Sequence, residues 1–186
     1  MFTHKLSLAA FVSALVFAHP ASAQVARYGF GTAATPEELA KYFSIPPDGR
    51  GLPSGSGNAK KGAELYALAC AACHGEKLEG NPAKGIGGDK LLGGRGSLAT
   101  KTPVKTVESY WPYATTLFDY VKRAMPFNAP GSLSDDDIYS LVAYILSEAK
   151  IIKPTETMDA KTLPAVAMPN KDGFVPDPRP EVELYR

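Results

Sequence analysis

The chain carries its scarcest reactive side chains in one run of five residues, Cys70-Ala71-Ala72-Cys73-His74. The whole sequence of 186 residues contains two cysteines and three histidines. Thiols three positions apart at the end of a helix project from one side of it. The imidazole of the next residue can then reach the same site, so the fold must be built around this run.

The first 23 residues have the pattern of a secretory signal peptide. Lys5 precedes an apolar run over 6–18, and Ala21-Ser22-Ala23 has the small-x-small pattern of a cleavage site. A membrane anchor is the alternative, but the run is shorter than the roughly 20 apolar residues that cross a bilayer. Cleavage predicts a periplasmic chain with no stable membrane anchor and with His74 as its one histidine.

C-x-x-C-H is the attachment signature of c-type haem. The thiols of Cys70 and Cys73 can each form a thioether with one haem vinyl group, and His74 can ligate the iron. A redox-active disulfide, a structural disulfide and half of a zinc site are the alternatives. The predicted mature chain lacks further Cys or His for zinc, and it shows no βαβ pattern typical of redox pairs. The sequence therefore predicts one covalent haem c.

The sixth iron ligand must come from another part of the chain, and methionine is the soft donor that remains. The predicted mature chain offers Met125, Met158 and Met168. Met125 precedes Pro126, which stops the second predicted helix and favours a turn that can direct the sulfur into a haem crevice. Methionine also fills apolar cores. We expect His74 and Met125 to be the axial ligands, an arrangement typical of electron transfer.

Composition divides the chain into a signal peptide (1–23), an N-terminal arm (24–57), a helical domain (58–152) and a proline-rich C-terminal arm (153–186). A short helix is predicted at 36–43. Six prolines exclude a long helix from the C-terminal arm and favour an extended path. We hypothesise that the arms cover a partner or brace the haem crevice.

Three helices are predicted within the helical domain. Asn58 caps the first, which runs into Cys70. The second spans 113–124, and the third begins after Ser134, followed by three aspartates that favour the positive helix end. The predicted apolar faces are Gly62, Leu65, Tyr66 and Ala69; Leu117, Tyr120, Val121 and Ala124; and Ile138, Leu141, Val142, Ile145 and Leu146. The stretch 75–96 holds eight glycines and predicts an irregular loop, and no convincing strand pattern is present.

The charge balance argues against one class of partner. With 20 Lys+Arg and 19 Asp+Glu there is no global basic field, so nucleic-acid binding is not expected as the main activity. Near the glycine-rich loop a basic rim outnumbers its acidic neighbours: Lys77, Lys84, Lys90, Arg95, Lys101 and Lys105 against Glu76, Glu79 and Asp89. This rim could steer an acidic partner surface, and a plain solvated loop is the alternative.

The order of these features resembles a class I cytochrome c. C-x-x-C-H follows a short helix, Met125-Pro126 lies some fifty residues later, and the segment 133–146 closes the domain. The resemblance implies an all-α fold around one covalent haem, with extended arms at both ends. In that family a small residue of the first helix meets an aromatic residue of the last, and Gly62 and Tyr144 match those partners.

Three further segments resemble a narrower group. Tyr28-Gly-Phe-Gly with 34–38, the segment 103–120 and the segment 159–180 are similar to the haem subunits of bacterial sulfur-oxidising molybdoenzymes. These are the SoxD-type sulfane dehydrogenases and the sulfite dehydrogenases. Some Sox haem subunits carry two haems, whereas this sequence has a single C-x-x-C-H and matches only a one-haem form.

The resemblance implies a mechanism. A molybdenum-cofactor subunit would oxidise sulfane sulfur or sulfite, and this chain would accept the electrons singly and pass them to a downstream c-type cytochrome. Iron held by His74 and Met125 has no open position, so the chain would not be catalytic on its own. The alternatives are a free-standing cytochrome that serves another dehydrogenase or oxidase, a haem enzyme or gas sensor with an open sixth site, and thiol–disulfide exchange.

Overall fold

Four helices and two short strands make up the computed structural model, which describes Thr35 and residues 44–81 and 87–176. In chain order these elements are β1 (Ser56–Asn58), α1 (Ala59–Ala69), α2 (Ala71–His74), α3 (Ala114–Ala124), α4 (Asp135–Glu148) and β2 (Thr157–Asp159), followed by a 3-10 turn at Leu163–Ala165. The predicted signal peptide and the predicted helix at 36–43 lie outside the described residues. The described residues all belong to one compact unit. Among the described helices, none is long and apolar enough to cross a membrane.

Helix α1 begins where its capping residue predicts. The backbone N–H of Lys61 donates to Asn58 Oδ1 at 3.0 Å, which satisfies one of the donors left free at a helix start. Gly62 and Tyr66 are buried and Leu65 is half-buried, as predicted. Ala69, predicted on the same face, is exposed at the last residue of the helix.

Helix α4 is the most deeply buried element. The backbone N–H of Asp137 donates to Ser134 Oγ at 3.2 Å, which confirms the predicted cap. Its predicted apolar stripe is confirmed as core, with exposures of 4% or less at Ile138, Leu141, Val142, Ile145 and Leu146. Tyr139 and Ala143 are buried as well, so α4 is enclosed on more than one face.

Helices α1 and α4 touch through Gly62. A Cβ on this glycine would overlap the carbonyl oxygen of Ser140 and would lie 2.7 Å from Tyr144 Cβ. Beside the contact, the rings of Tyr66 and Tyr144 pack with centroids 5.3 Å apart. The predicted meeting of Gly62 with Tyr144 is therefore confirmed, and a glycine is required because backbone lies against backbone.

The face of α3 differs from the prediction at one position. Leu117 and Val121 are buried, but Tyr120 is 47% exposed, so its assignment to the apolar face is wrong. Phe118 takes the interior position at 0% exposure and packs on the ring of Tyr139, with centroids 4.5 Å apart. The Tyr120 ring instead stands edge-on to Trp111 near the surface.

The first part of the proline-rich arm packs on the helical domain. β2 pairs antiparallel with β1, which places Met158 opposite Gly57. Met158, Leu163 and Met168 are 1%, 0% and 4% exposed and belong to the same core as α4. The sequence predicted no strands, and this was wrong because two strands of three residues are too short to show an alternating pattern.

Gly62→Ala tests the helix contact. Alanine is intrinsically about 1 kcal/mol better than glycine inside a helix, whereas a clash against backbone costs about 3 kcal/mol or more. We expect a net loss of about 2 kcal/mol in the free energy of unfolding, measured by denaturant titration of the holoprotein. Lys60→Ala, on the exposed side of α1, is the control and should change stability by less than about 0.5 kcal/mol. Equal or higher stability of Gly62→Ala would contradict the contact.

Candidate haem site

The C-x-x-C-H run forms the junction between α1 and α2. Cys70 ends α1, with its backbone N–H donating to Tyr66 O at 2.9 Å, and the one-turn helix α2 ends at His74. The backbone N–H groups of Cys73 and His74 both donate to Cys70 O, at 3.1 and 2.9 Å. Both cysteines are free thiols and half-buried, as is the imidazole. The chain thus brings two thiols and one imidazole together within a single turn.

The imidazole of His74 has a fixed orientation. Its Nδ1 lies 2.7 Å from the backbone oxygen of Asp89. A carbonyl oxygen can only accept, so Nδ1–H is the donor, and in the neutral ring the lone pair is on Nε2. Gly88 packs flat against the ring, since a Cβ there would lie 2.6 Å from both Cε1 and Nδ1. The backbone N–H of Gly88 also donates to Cys73 O at 2.9 Å, so the loop is fastened to both residues.

Tyr66 secures the other side of the motif. Its hydroxyl donates to the backbone oxygen of Gly75, the residue after His74, at 2.7 Å. The side chain is 2% exposed, and burial, reinforced by the neighbouring Cys70 thiol, raises the pKa of Tyr66 well above its usual value. The hydroxyl therefore stays a donor throughout the physiological pH range.

The Cys70 thiol is poorly suited to thiol–disulfide exchange. Burial, with a smaller contribution from Cys73, raises its pKa to about 11. Exchange proceeds through the thiolate, and reactive cysteines have lowered pKa values. Cys70 would remain protonated at neutral pH, which weakens the interpretation of this pair as a redox-active disulfide.

The three candidate methionines differ in their surroundings. Met158 and Met168 are buried members of the hydrophobic core, so both serve as packing. Met125 follows the last residue of α3, is half-buried and packs against the same core from its edge. Cys70 lies at the edge of that core too. Other half-buried apolar side chains at the edge are Leu91, Leu92, Trp111 and Leu133.

Hydrogen bonds hold the glycine-rich loop in ways that the sequence did not predict. Arg95, predicted as part of an exposed basic rim, bonds Glu108 through Nε at 2.7 Å and donates from Nη2 to the Ala149 oxygen at the end of α4 at 2.5 Å. Its charge is therefore paired. Lys77, Lys90, Lys101 and Lys105 are exposed, whereas Lys84 lies outside the described residues. Gly75–Asn81 and 87–96 contain neither helix nor strand, as predicted.

Comparison with known proteins identifies the family. The family model for cytochrome c matches residues 59–149. A chain in the crystal structure of the sulfane dehydrogenase SoxCD from Paracoccus pantotrophus is 40% identical, with a TM-score of 0.74. The match covers 84% of this chain and 76% of that chain. This protein belongs to the class I cytochrome c family.

The cytochrome is also similar to an enzyme of sulfur chemistry. A thiosulfate dehydrogenase of Stutzerimonas stutzeri (strain A1501) is 31% identical over 98 residues, which are 53% of this chain and 30% of that protein. The cytochrome thus spans less than a third of this curated relative's length. Together the matches confirm the predicted class I fold, the covalently bound haem c and a relationship to sulfur-oxidising enzymes.

The donor set fits the haem that the family carries. Two free thiols are available for thioethers, and one imidazole bonds Asp89 O through Nδ1, which leaves Nε2 of the neutral ring as its ligating atom. The sequence found the thiols and the imidazole but not Gly88 or Asp89. Gly88 is one of several glycines in the loop, so its sequence context does not single it out. Asp89 acts through its backbone oxygen, which every residue has.

Tyr66→Phe tests the bond to Gly75. The ring and its packing on Tyr144 remain, but a buried carbonyl oxygen loses its donor, at a cost of about 1–2 kcal/mol. We expect that decrease in the free energy of unfolding of the holoprotein, measured by denaturant titration. Tyr120→Phe removes a hydroxyl from a ring that is 47% exposed and should be nearly neutral. Equal effects of the two changes would show that the Tyr66 hydroxyl does not stabilise the motif.

Proposed function

We propose that this cytochrome receives single electrons from a molybdenum-dependent dehydrogenase that oxidises sulfane sulfur or sulfite. It passes them to a downstream c-type cytochrome in the periplasm, after removal of the signal peptide 1–23. The similarity to the SoxCD chain carries this proposal, since it covers 84% of the chain at 40% identity. The cytochrome c model alone matches only 59–149. Residues outside the haem domain therefore match as well, which favours a shared partner over a free-standing carrier.

In this proposal, Cys70 and Cys73 hold the haem by thioethers, and His74 and Met125 are its axial ligands. The haem supplies one-electron redox chemistry when bound. His74 offers Nε2 because Nδ1–H donates a hydrogen bond to Asp89 O, and such a bond raises the basicity of a ligating imidazole. Gly88 restrains the ring against rotation. Met125 is favoured over the other two methionines because those are buried as packing.

Electron transfer, rather than catalysis at the iron, follows from this ligand set. With His74 and Met125 as its ligands, the iron would have no open position for a substrate. The chain's own residues then set the reduction potential through ligand identity, hydrogen bonding and burial. The molybdenum partner would carry the sulfur chemistry, and the exposed lysines at 77, 90, 101 and 105 offer an acidic partner a basic surface.

Met125→Ala tests the sixth ligand. The oxidised variant is expected to lose the Fe–S charge-transfer band, to bind carbon monoxide rapidly when reduced, and to have a lower reduction potential. Axial ligands set haem potentials over a range of about 0.8 V, so the decrease should be large enough to measure by redox titration.

Met158→Leu and Met168→Leu are matched controls. Each replaces a buried methionine by a side chain of similar volume, at a cost below about 1.5 kcal/mol in stability, and should keep the band and the potential. Retention of the band in Met125→Ala, or its loss in either control, would move the ligand assignment to another methionine.

The partner is tested by co-purification from the native periplasm. We expect a molybdenum-containing subunit to be retained with the cytochrome, and the haem to be reduced on addition of sulfite or of a protein-bound sulfane. Increasing ionic strength should slow the reduction if the exposed lysines guide docking, because screening weakens charge steering. A cytochrome that purifies alone and is reduced by neither substrate would instead be a free-standing carrier.

The hypothesis that the C-terminal arm contacts a partner is tested by deleting only part of the arm, because its first part belongs to the core. Deletion from residue 153 would remove Met158, Leu163 and Met168 from the core and destabilise the domain. Removal of 177–186 alone leaves the packed segment intact. If the end of the arm covers the molybdenum subunit, this truncation should weaken co-purification without changing the reduction potential.

A further inference from the structure

Asp119 is the one charged residue that is buried in the part of the chain that the structure describes, and it is 8% exposed. It lies on α3 between the buried residues Phe118 and Val121. Taking a carboxylate out of water is costly unless the carboxylate is paired and hydrogen-bonded. Replacing buried ion pairs by apolar side chains often leaves stability unchanged or improves it, so such a pair is weak evidence for a stabilising role. The contacts of this carboxylate point instead to a role in positioning.

Each oxygen of the Asp119 carboxylate contacts a different part of the chain. Oδ1 accepts a hydrogen bond from the backbone N–H of Ile45 at 3.0 Å. Oδ2 accepts one from Nη2 of Arg123 at 2.5 Å. Ile45 lies 74 residues earlier, in the N-terminal arm, whereas Arg123 is four residues further along α3. One buried carboxylate therefore joins the arm to the helix.

The bond to Arg123 spans the last turn of α3, and this turn leads directly to Met125. The helix ends at Ala124, and the backbone N–H of Met125 donates to Val121 O at 3.1 Å. The last turn of a helix frays readily, because its final carbonyl groups have no partner within the helix. A pair of opposite charges four residues apart stabilises such a turn. Asp119 and Arg123 therefore hold closed the turn that Met125 follows.

The N-terminal arm is itself fixed to another helix. Ile45 packs at the edge of the hydrophobic core. Further along the arm, the backbone oxygen of Pro53 accepts a hydrogen bond from the Tyr139 hydroxyl at 2.9 Å. Tyr139 is 0% exposed and belongs to α4. The arm thus provides a fixed attachment point, and the bond from Ile45 to Asp119 connects α3 to it.

We propose that Asp119 is a positioning residue for Met125 and couples the N-terminal arm to this methionine. The inference rests on the proposed ligation of the iron by Met125. Because the carboxylate closes the last turn of α3 and bonds it to Ile45, it limits the positions that Met125 can take. The arm thereby contributes to the haem site, although Ile45 lies outside the segment 59–149 that the cytochrome c model matches.

Carbon monoxide binding to the reduced holo-cytochrome tests the proposal, because carbon monoxide reaches the iron only after the methionine is released. Asp119→Ala removes both contacts of the carboxylate. It should accelerate carbon monoxide binding about tenfold or more, the effect expected from the loss of one hydrogen bond to a charged group. Asp119→Asn keeps an oxygen for the N–H of Ile45 but loses the ion pair with Arg123, so a smaller acceleration is expected.

A second pair of variants tests the contribution of the arm. Ile45→Pro removes the N–H that Asp119 Oδ1 accepts, and it should also accelerate carbon monoxide binding. Ile45→Ala is the matched control, because it keeps the N–H and loses more of the apolar side chain than proline does. Its rate should stay close to that of the parent protein and below that of Ile45→Pro.

Three outcomes would overturn the coupling. They are equal rates in the parent and Asp119→Ala, equal rates in Asp119→Asn and Asp119→Ala, and a rate in Ile45→Ala as high as in Ile45→Pro. If Asp119→Ala does not fold around its haem, Ile45→Pro and Ile45→Ala decide by themselves. Failure of the ligand assignment gives a different result: a parent that lacks the Fe–S charge-transfer band would exclude Met125 as ligand, and this inference with it.

Discussion

The direct contact between α1 and α4 at Gly62 determines the position of the C-x-x-C-H run. Because backbone lies on backbone there, the spacing of the two helices cannot be adjusted by a change of rotamer. Helix α1 is then fixed relative to α4, the most buried element of the fold. Cys70 directly follows the last residue of α1, so its position is fixed as well. Tyr66, one turn earlier, packs on α4 through Tyr144 and bonds the chain just beyond His74. The contact between α1 and α4 therefore fixes the position of the C-x-x-C-H run at both of its ends.

The imidazole is restrained by two different means. A hydrogen bond from Nδ1–H to Asp89 O orients the ring, and the bare backbone of Gly88 packs so closely on it that a Cβ would lie 2.6 Å from two ring atoms. Both come from the same loop, whose far side is fastened by Arg95 to Glu108 and to the end of α4. The described parts of the loop, 75–81 and 87–96, are irregular in secondary structure but held by these bonds. A glycine-rich segment can in this way orient the imidazole of His74.

Local chemistry made much of the fold predictable. Asn58 and Ser134 mark helix starts because capping depends on residues within the same turn, and the α4 stripe is long enough for its period to be unambiguous. Tyr120 was misplaced because Tyr120 and Phe118 are both aromatic within a short helix, so the periodicity did not decide which one faces inward. The strands and the pairing of Arg95 with Glu108 depend on distant parts of the chain, which no local pattern encodes. Spacing alone singled out the cysteine–histidine run, and the roles of Cys70, Cys73, His74 and Met125 at the haem stay predictions.

Pairing of β1 with β2 has a consequence for the order of folding. Gly57 lies just before helix α1, which leads to Cys70, yet its strand partner Met158 is about a hundred residues further along the chain. Contacts between such distant positions form late, since a long loop must close first. Synthesis proceeds from the N-terminus, so the C-x-x-C-H run emerges well before β2 and its thiols are reachable while this strand pair is still open. Pairing of β1 with β2 therefore completes the fold only after both thiols of the run have become available.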